Sequence, residues 1–142
     1  MDDPAQVSDT RLKTLFSQMR RVAVVGLSPD PERASHGIAR FLIGRGFDVV
    51  GINPGHTEIL GVPVYASLAD VPHPVDLVDI FRRGDAVGPI VDAAIGRGDG
   101  FIWMQEGVVN EDAAARARQA DIPVVMDLCV YKEWLRLMNE AP

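Results

Sequence analysis

The stretch "VAVVG" at residues 22–26 constrains this chain more than any other. A short unbroken apolar run that stops at a glycine is the pattern of a strand covered on both faces, since a strand with one wet face would alternate apolar and polar residues. The same kind of run returns in "FDVVGIN", "VDLVDIF", "FIWMQ" and "PVVMD", with a weaker one at "VPVYA". Between these runs the apolar residues recur at helical spacing. Leu12, Leu15, Phe16 and Met19 form one stripe behind a Ser8 N-cap, with Val7 and Leu12 placed as a hydrophobic staple; Ile38, Ala39, Phe41 and Leu42 form another behind Ser35. Asp85 is placed to cap a helix through Ile95, Asn110 caps an alanine-rich helix opened by Glu111 and Asp112, and a last helix runs from about Val130 to Asn139. Strands alternating with helices at this spacing predict an α/β protein: a Rossmann-like, doubly wound, mostly parallel sheet in a three-layer α/β/α sandwich.

With 142 residues, 47% of them hydrophobic, the chain has the size of one domain over 1–142, with an N-terminal helix within 1–20. The apolar runs are too short to span a bilayer and "MDDPAQ" lacks the basic and apolar parts of a signal peptide, so the expected location is cytoplasmic with no membrane partner. A net charge of −6 opposes generic attraction to nucleic acid. The single cysteine, Cys129, rules out an internal disulfide, and the three histidines lack metal-ligand spacing, so no metal is expected.

Ligands of doubly wound sheets bind outside the carboxyl ends of the strands. The segments placed there are Gly26-Leu27-Ser28, Asn53-Pro54-Gly55-His56, Phe81-Arg82-Arg83, Met104-Gln105-Glu106-Gly107 and Asp127-Leu128-Cys129. The G-x-G-x-x-G of dinucleotide sites is missing after the first strand. Its replacement, Ser28 to Ala34, is a longer loop feeding a helix with Gly37 in its first turn, where a diphosphate could rest on helix-terminal amides, the Ser28 or Ser35 hydroxyl, and the Arg33 guanidinium. The second strand ends in Asn53 rather than the carboxylate that holds an NAD ribose, and Asp48 lies at the strand's far end. Basic residues stand at the ligand edge instead: His56, Arg82 and Arg83. They suit a nucleotide with an extra ribose phosphate, which leaves coenzyme A and NADP.

The segments "VAVVGLS", "INPG", "SLADVPHPVDLVDIFRR", "WMQEGVVNEDAAARAR" and "PVVMDLC" in this order resemble the short stand-alone CoA-binding proteins, which are similar to the N-terminal CoA-binding domain of the succinyl-CoA synthetase alpha subunit. The likeness runs over 21–134. It implies a Rossmann-like CoA-binding domain in which Gly26, Leu27, Ser28, Arg33 and Ser35 cradle the diphosphate and Asn53, Pro54 and His56 flank the nucleotide. It further implies that Phe81, Arg82 and Arg83 border the adenosine phosphate, and that Met104, Gln105, Glu106 and Gly107 line the path of the pantetheine arm. The chain departs from the family in having Gly55 and His56 where a lysine is common, and Leu128 and Trp134 where arginine and histidine are common; the latter two could pack.

No catalytic pair is evident. Cys129 stands beside Asp127 with no histidine near it in sequence, and reads as a buried, inert thiol. Glu106 has an equally good use as a hydrogen-bond acceptor. His36 reads as a surface or phosphate-contacting residue, His73 as loop, and Trp103 as core. Of Asp76 and Asp79, one is expected to face solvent and the other to cap a turn. The leading reading is a non-catalytic protein that binds coenzyme A or an acyl-CoA as carrier, sensor or regulator. An NADP-dependent oxidoreductase is the alternative, and an interaction module that has lost its ligand is a third. A monomer and a homodimer through the terminal helices both remain open.

Overall fold

The computed structural model describes residues 7–138, so "MDDPAQ" and Asn139 lie outside the described residues. Helix α1 (Asp9–Gln18) leads into β1 (Arg21–Val25), α2 (Ala34–Gly44) and β2 (Asp48–Ile52). A short hairpin follows, β3 (Glu58–Ile59) and β4 (Val62–Tyr65), then β5 (Leu77–Ile80), α3 (Val87–Arg97), β6 (Ile102–Met104), α4 (Glu111–Gln119), β7 (Val124–Val125) and α5 (Val130–Leu137). Single 3₁₀ turns precede β5 and α3. The seven strands form one sheet in the order β3-β4-β2-β1-β5-β6-β7, parallel throughout except for β3 against β4.

Both faces of the sheet are covered, which is why its strands read as continuous apolar runs. Alternate residues of β1 enter opposite cores. Val22 and Val24 pack with Leu77 and Trp103 beneath α1, α2 and α5, whereas Ala23 and Val25 pack with Val78 and Ile80 beneath α3 and α4. The three-layer arrangement predicted from the alternation is present. Ser8 caps α1 by accepting the Arg11 amide, and Asn110 caps α4 by accepting the amide of Ala113. Trp134 packs as expected: its ring lies 5.2 Å from Phe16, 5.9 Å from Phe41 and 5.8 Å from Phe47, with the Arg45 guanidinium 5.2 Å away over its face.

Several local expectations are corrected. The N-cap of α2 is Arg33, not Ser35, because the Ser35 hydroxyl is turned to the Ser28 amide one residue inside the helix. Asp85 lies in the 3₁₀ turn Gly84–Ala86, and Ala86 precedes α3, which runs on to Arg97. Leu128 does not pack but stays 40% exposed, and Cys129 is half-buried. Asp76 does cap a turn, its carboxylate accepting the amides of Arg20 and Arg21 at 2.8 and 2.9 Å. Asp79 neither caps nor faces water. It is fully buried between Val24 and Trp103 on the neighbouring strands, neither carboxyl oxygen has a hydrogen-bond partner, and burial pushes its pKa well above the usual carboxylate value.

At the opposite edge of the sheet from the carboxyl strand ends, Asp99 and Arg97 pin the segment leading to β5. Asp99 accepts the Val75 amide at 2.8 Å, and Arg97 reaches the carbonyls of Val71 and His73 while pairing with Asp99 at 3.0 Å.

Candidate functional site: a crevice at the switch point

From β1 the chain winds outward to β2 and β4, then returns to lay β5 on the other side of β1. Such a reversal opens a crevice between the carboxyl ends of the two central strands. Here these ends are Gly26 and Phe81. Gly26 has φ +89°, and a Cβ on it would meet the Phe81 carbonyl oxygen at 2.8 Å, so only glycine lets the two strand ends come this close. The aliphatic part of Arg82 lies over Gly26, with Cδ 3.2 Å from that Cβ position. Its exposed guanidinium has no ion-pair partner among the described residues.

The loop after Gly26 is held from several sides. Ser28 donates its amide to Ser35 Oγ at 3.0 Å, and its carbonyl accepts from His36 Nδ1 at 2.9 Å. A carbonyl can only accept, so the Nδ1 of His36 carries the proton. The Asp30 amide donates to Ser28 Oγ, and the Glu32 amide to Asp30 Oδ1. Asn53, at the end of β2, donates to the Leu27 carbonyl at 2.9 Å and accepts the Gly55 amide at 2.9 Å, joining the first loop to the second. Arg33 makes no side-chain cap, which leaves the first-turn amides of Ala34 and Ser35 without a capping acceptor at the rim of the crevice. A helix end in this state carries partial positive charge and suits an anion.

The structure therefore brings together Gly26, Leu27, Ser28, Ser35, Asn53, Phe81 and Arg82, with exposed Arg33 at the N-cap of α2. The Leu27 side chain is buried in the core, so that residue can offer only main chain. Pro54 and His56 lie to one side, in a separate hollow of about 490 Å³ shared with Thr57, Glu58 and Val64. Arg83 pairs with Asp85 at 3.5 Å in the open.

Beyond β6 the four expected residues divide. Met104 is fully buried, and the Gln105 side chain is spent on the Val130 amide at 3.1 Å, holding the start of α5. Glu106 and Gly107 are exposed: Glu106 pairs with Lys132 at 3.0 Å, which raises the lysine pKa, and the Gly107 amide donates to Asp127 Oδ1 at 2.7 Å. Nearby, Asn110 reaches the Gly84 carbonyl at 2.9 Å, and a Cβ on Gly84 would run into the carbonyl oxygen of Val109, so the loops after β5 and β6 touch main chain to main chain.

The anchoring of Ser28 by His36 is the feature that sequence reasoning missed. Its signal was available: a histidine in the first turn of the helix that follows a phosphate-type loop is within reach of that loop's backbone. Among the described residues no cluster of side chains could hold a metal ion, and no helix is long and apolar enough to cross a membrane.

Known proteins resemble this chain over most of its length. The chain is 32% identical over 123 residues to the uncharacterized protein YneT of Bacillus subtilis, covering 87% of this chain and 91% of that one. It superposes on a hypothetical protein from Pyrococcus horikoshii with a TM-score of 0.91 and 29% identity, covering 97% of each. With a TM-score of 0.70 and 28% identity it also matches part of the dinucleotide-forming acetyl-coenzyme A synthetase 1 of Ca. Korarchaeum cryptofilum, where 80% of this chain corresponds to 27% of the larger one. Residues 20–134 match the model of the CoA binding domain. A Rossmann-like sheet with a glycine-opened switch point, matched along nearly its full length in this way, places the chain in the CoA binding domain family.

Proposed function

We propose that the chain binds coenzyme A in the crevice between β1 and β5 and holds it without transforming it, as a carrier, sensor or regulatory protein. The observation that carries this reading is the presence of two unspent positive groups at one switch point: the uncapped amides at the start of α2, and the exposed guanidinium of Arg82, whose aliphatic stem lies over Gly26. The amides suit the diphosphate and the guanidinium suits the ribose phosphate, since a planar donor fork matches phosphate oxygens two at a time. The family membership supports the same ligand. Three titratable groups along this edge are engaged by their neighbours: His36 by Ser28, Glu106 by Lys132, and Asp127 by the Gly107 amide. None of these bonds pairs a nucleophile with a base, which supports binding rather than turnover.

Titration calorimetry with coenzyme A, dephospho-CoA and NADP tests the reading. Coenzyme A should bind most tightly. Arg82→Ala should weaken it by roughly 10- to 150-fold, the worth of a charge-assisted hydrogen bond of about 1.5 to 3 kcal/mol, and should leave dephospho-CoA nearly unchanged. Arg83→Ala should do little, because Arg83 faces Asp85. Tighter binding of NADP than of coenzyme A, or equal losses for both CoA forms in Arg82→Ala, refutes the assignment.

A further inference from the structure

Between α2 and α5 the surface opens into a groove of about 570 Å³ lined by Ala34, Gly37, Ile38, Phe41, Cys129 and Tyr131. Among the described residues no carboxylate lines it. The one charged group there is Arg40, which is exposed and has no ion-pair partner among the described residues. The groove is open at Gly37, where an added Cβ would meet no heavy atom within 4 Å. Its walls are hydrophobic and partly aromatic, with the Phe41 and Tyr131 rings set edge to face at 4.8 Å.

The groove borders the carboxyl edge of the sheet at Ala34 and Cys129. Ala34, one of its lining residues, carries one of the uncapped α2 amides, and Cys129, another, is the N-cap of α5 beside the β7 end of the same strand edge. A pantetheine arm led from the diphosphate past Glu106 and Gly107 reaches Asp127, whose carboxylate holds the Gly107 amide at 2.7 Å, and then Cys129, so the thioester meets the groove at its Cys129 end with the apolar walls beyond it. Resting on the coenzyme A reading above, we propose that this groove receives the acyl chain of an acyl-CoA thioester, so that the protein prefers acylated coenzyme A to the free thiol. From Ala34 to Phe41 the helix advances about 10 Å at 1.5 Å per residue, a length that fits a linear chain of medium size. The positive Arg40 at the rim has the right sign for the anionic carrier of that chain.

Calorimetry with coenzyme A, acetyl-CoA and octanoyl-CoA tests this, because coenzyme A alone reports the parent reading. Full burial of a methylene is worth about fourfold in affinity; in a groove open on one side about half of that free energy remains, roughly twofold per methylene. Octanoyl-CoA, with six more methylenes, should therefore bind roughly 60-fold more tightly than acetyl-CoA. Tyr131→Glu places a charge in the groove and should remove most of that advantage, while coenzyme A and acetyl-CoA stay within about twofold of the parent. Leu135→Glu changes an exposed leucine on the same helix that does not line the groove, and should preserve the advantage. Circular dichroism and melting of each variant verify the fold. If coenzyme A binds but octanoyl-CoA gains nothing, or if both variants lose the gain equally, the acyl groove is refuted and the parent reading stands. If none of the three ligands binds, both fall. Concentration-dependent dimerisation abolished by Tyr131→Glu, with no acyl preference, assigns the groove to a second copy instead and overturns the proposal.

Discussion

Replacing Asp79 with asparagine should make the protein more stable at neutral pH, by an amount that depends on pH in a defined direction. In the folded chain this carboxyl is fully buried, has no hydrogen-bond partner, and holds its proton well above the usual range. In the unfolded chain it ionises near the ordinary aspartate value of about 3.9. Above that pH the folded state binds one more proton than the unfolded state, so stability falls as pH rises, by up to about 1.4 kcal/mol per pH unit. The fall continues until the buried carboxyl itself ionises. Between pH 4 and 7 the accumulated cost reaches up to about 4 kcal/mol. Asparagine has nearly the same shape and cannot titrate, while its amide shares the burial cost of a neutral carboxyl. The two proteins should therefore have similar stability at pH 4 and separate progressively above it, by up to about 4 kcal/mol at pH 7. Asp79→Val, which also removes the polar atoms from a strand interior, should add about 1–3 kcal/mol at every pH. Urea unfolding at pH 4, 5.5, 7 and 8.5 gives the comparison, and taking the difference between proteins cancels the titration of groups such as Asp9. Asp9 works in the opposite sense: its hydrogen bond to Arg136 lowers its pKa, so its contribution is lost as pH falls. Parallel stability curves for wild type and Asp79→Asn would show that Asp79 is solvated or paired in solution, and would refute the reasoning.

Gly26→Ala should destabilise the fold by about 2–4 kcal/mol, combining the cost of a left-handed φ with a collision against the Phe81 carbonyl, whereas Gly37→Ala, in an open helical position, should gain about 0.5–1 kcal/mol; paired urea titrations check both. Asp99→Ala strands the Arg97 guanidinium and orphans the Val75 amide, so a loss of about 3–5 kcal/mol is expected in the same assay; a loss below 1 kcal/mol would show that water replaces the pair. Asn53→Ala unties the first loop from the second and should cost about 1–3 kcal/mol in thermal unfolding, with coenzyme A binding weakened alongside.

The sheet was legible because its strands are covered twice over: "VAVV" and "VDLVDI" are short valine-rich runs set between stripes of helical spacing. The hairpin strand β3 was not, since two residues, Glu58 and Ile59, at a sheet edge carry no periodicity. Ser35 has the chemistry of a cap, but its hydroxyl is drawn to the Ser28 amide, a tertiary choice that propensity does not encode. Asp76 and Asp79 are identical in type and stand in the same apolar run, but Asp76 lies exposed just before β5, where it caps the chain entering β1, and Asp79 is an isolated acid in the buried interior of the strand. The adjacent arginines part in the same way: Arg82 folds back over Gly26, and Arg83 reaches Asp85. The segments that gather at the crevice could be named from strand order alone, while the direction of each side chain within them required the packed structure.

The two-sided grip on Ser28 bears on how fast a ligand can arrive. Because α2 holds both the amide and the carbonyl of that residue, through the Ser35 and His36 side chains, the loop cannot swing aside without breaking two hydrogen bonds to the helix. Entry should thus be limited by encounter and docking rather than by a gating motion, giving single-exponential association whose rate rises linearly with ligand concentration and does not level off.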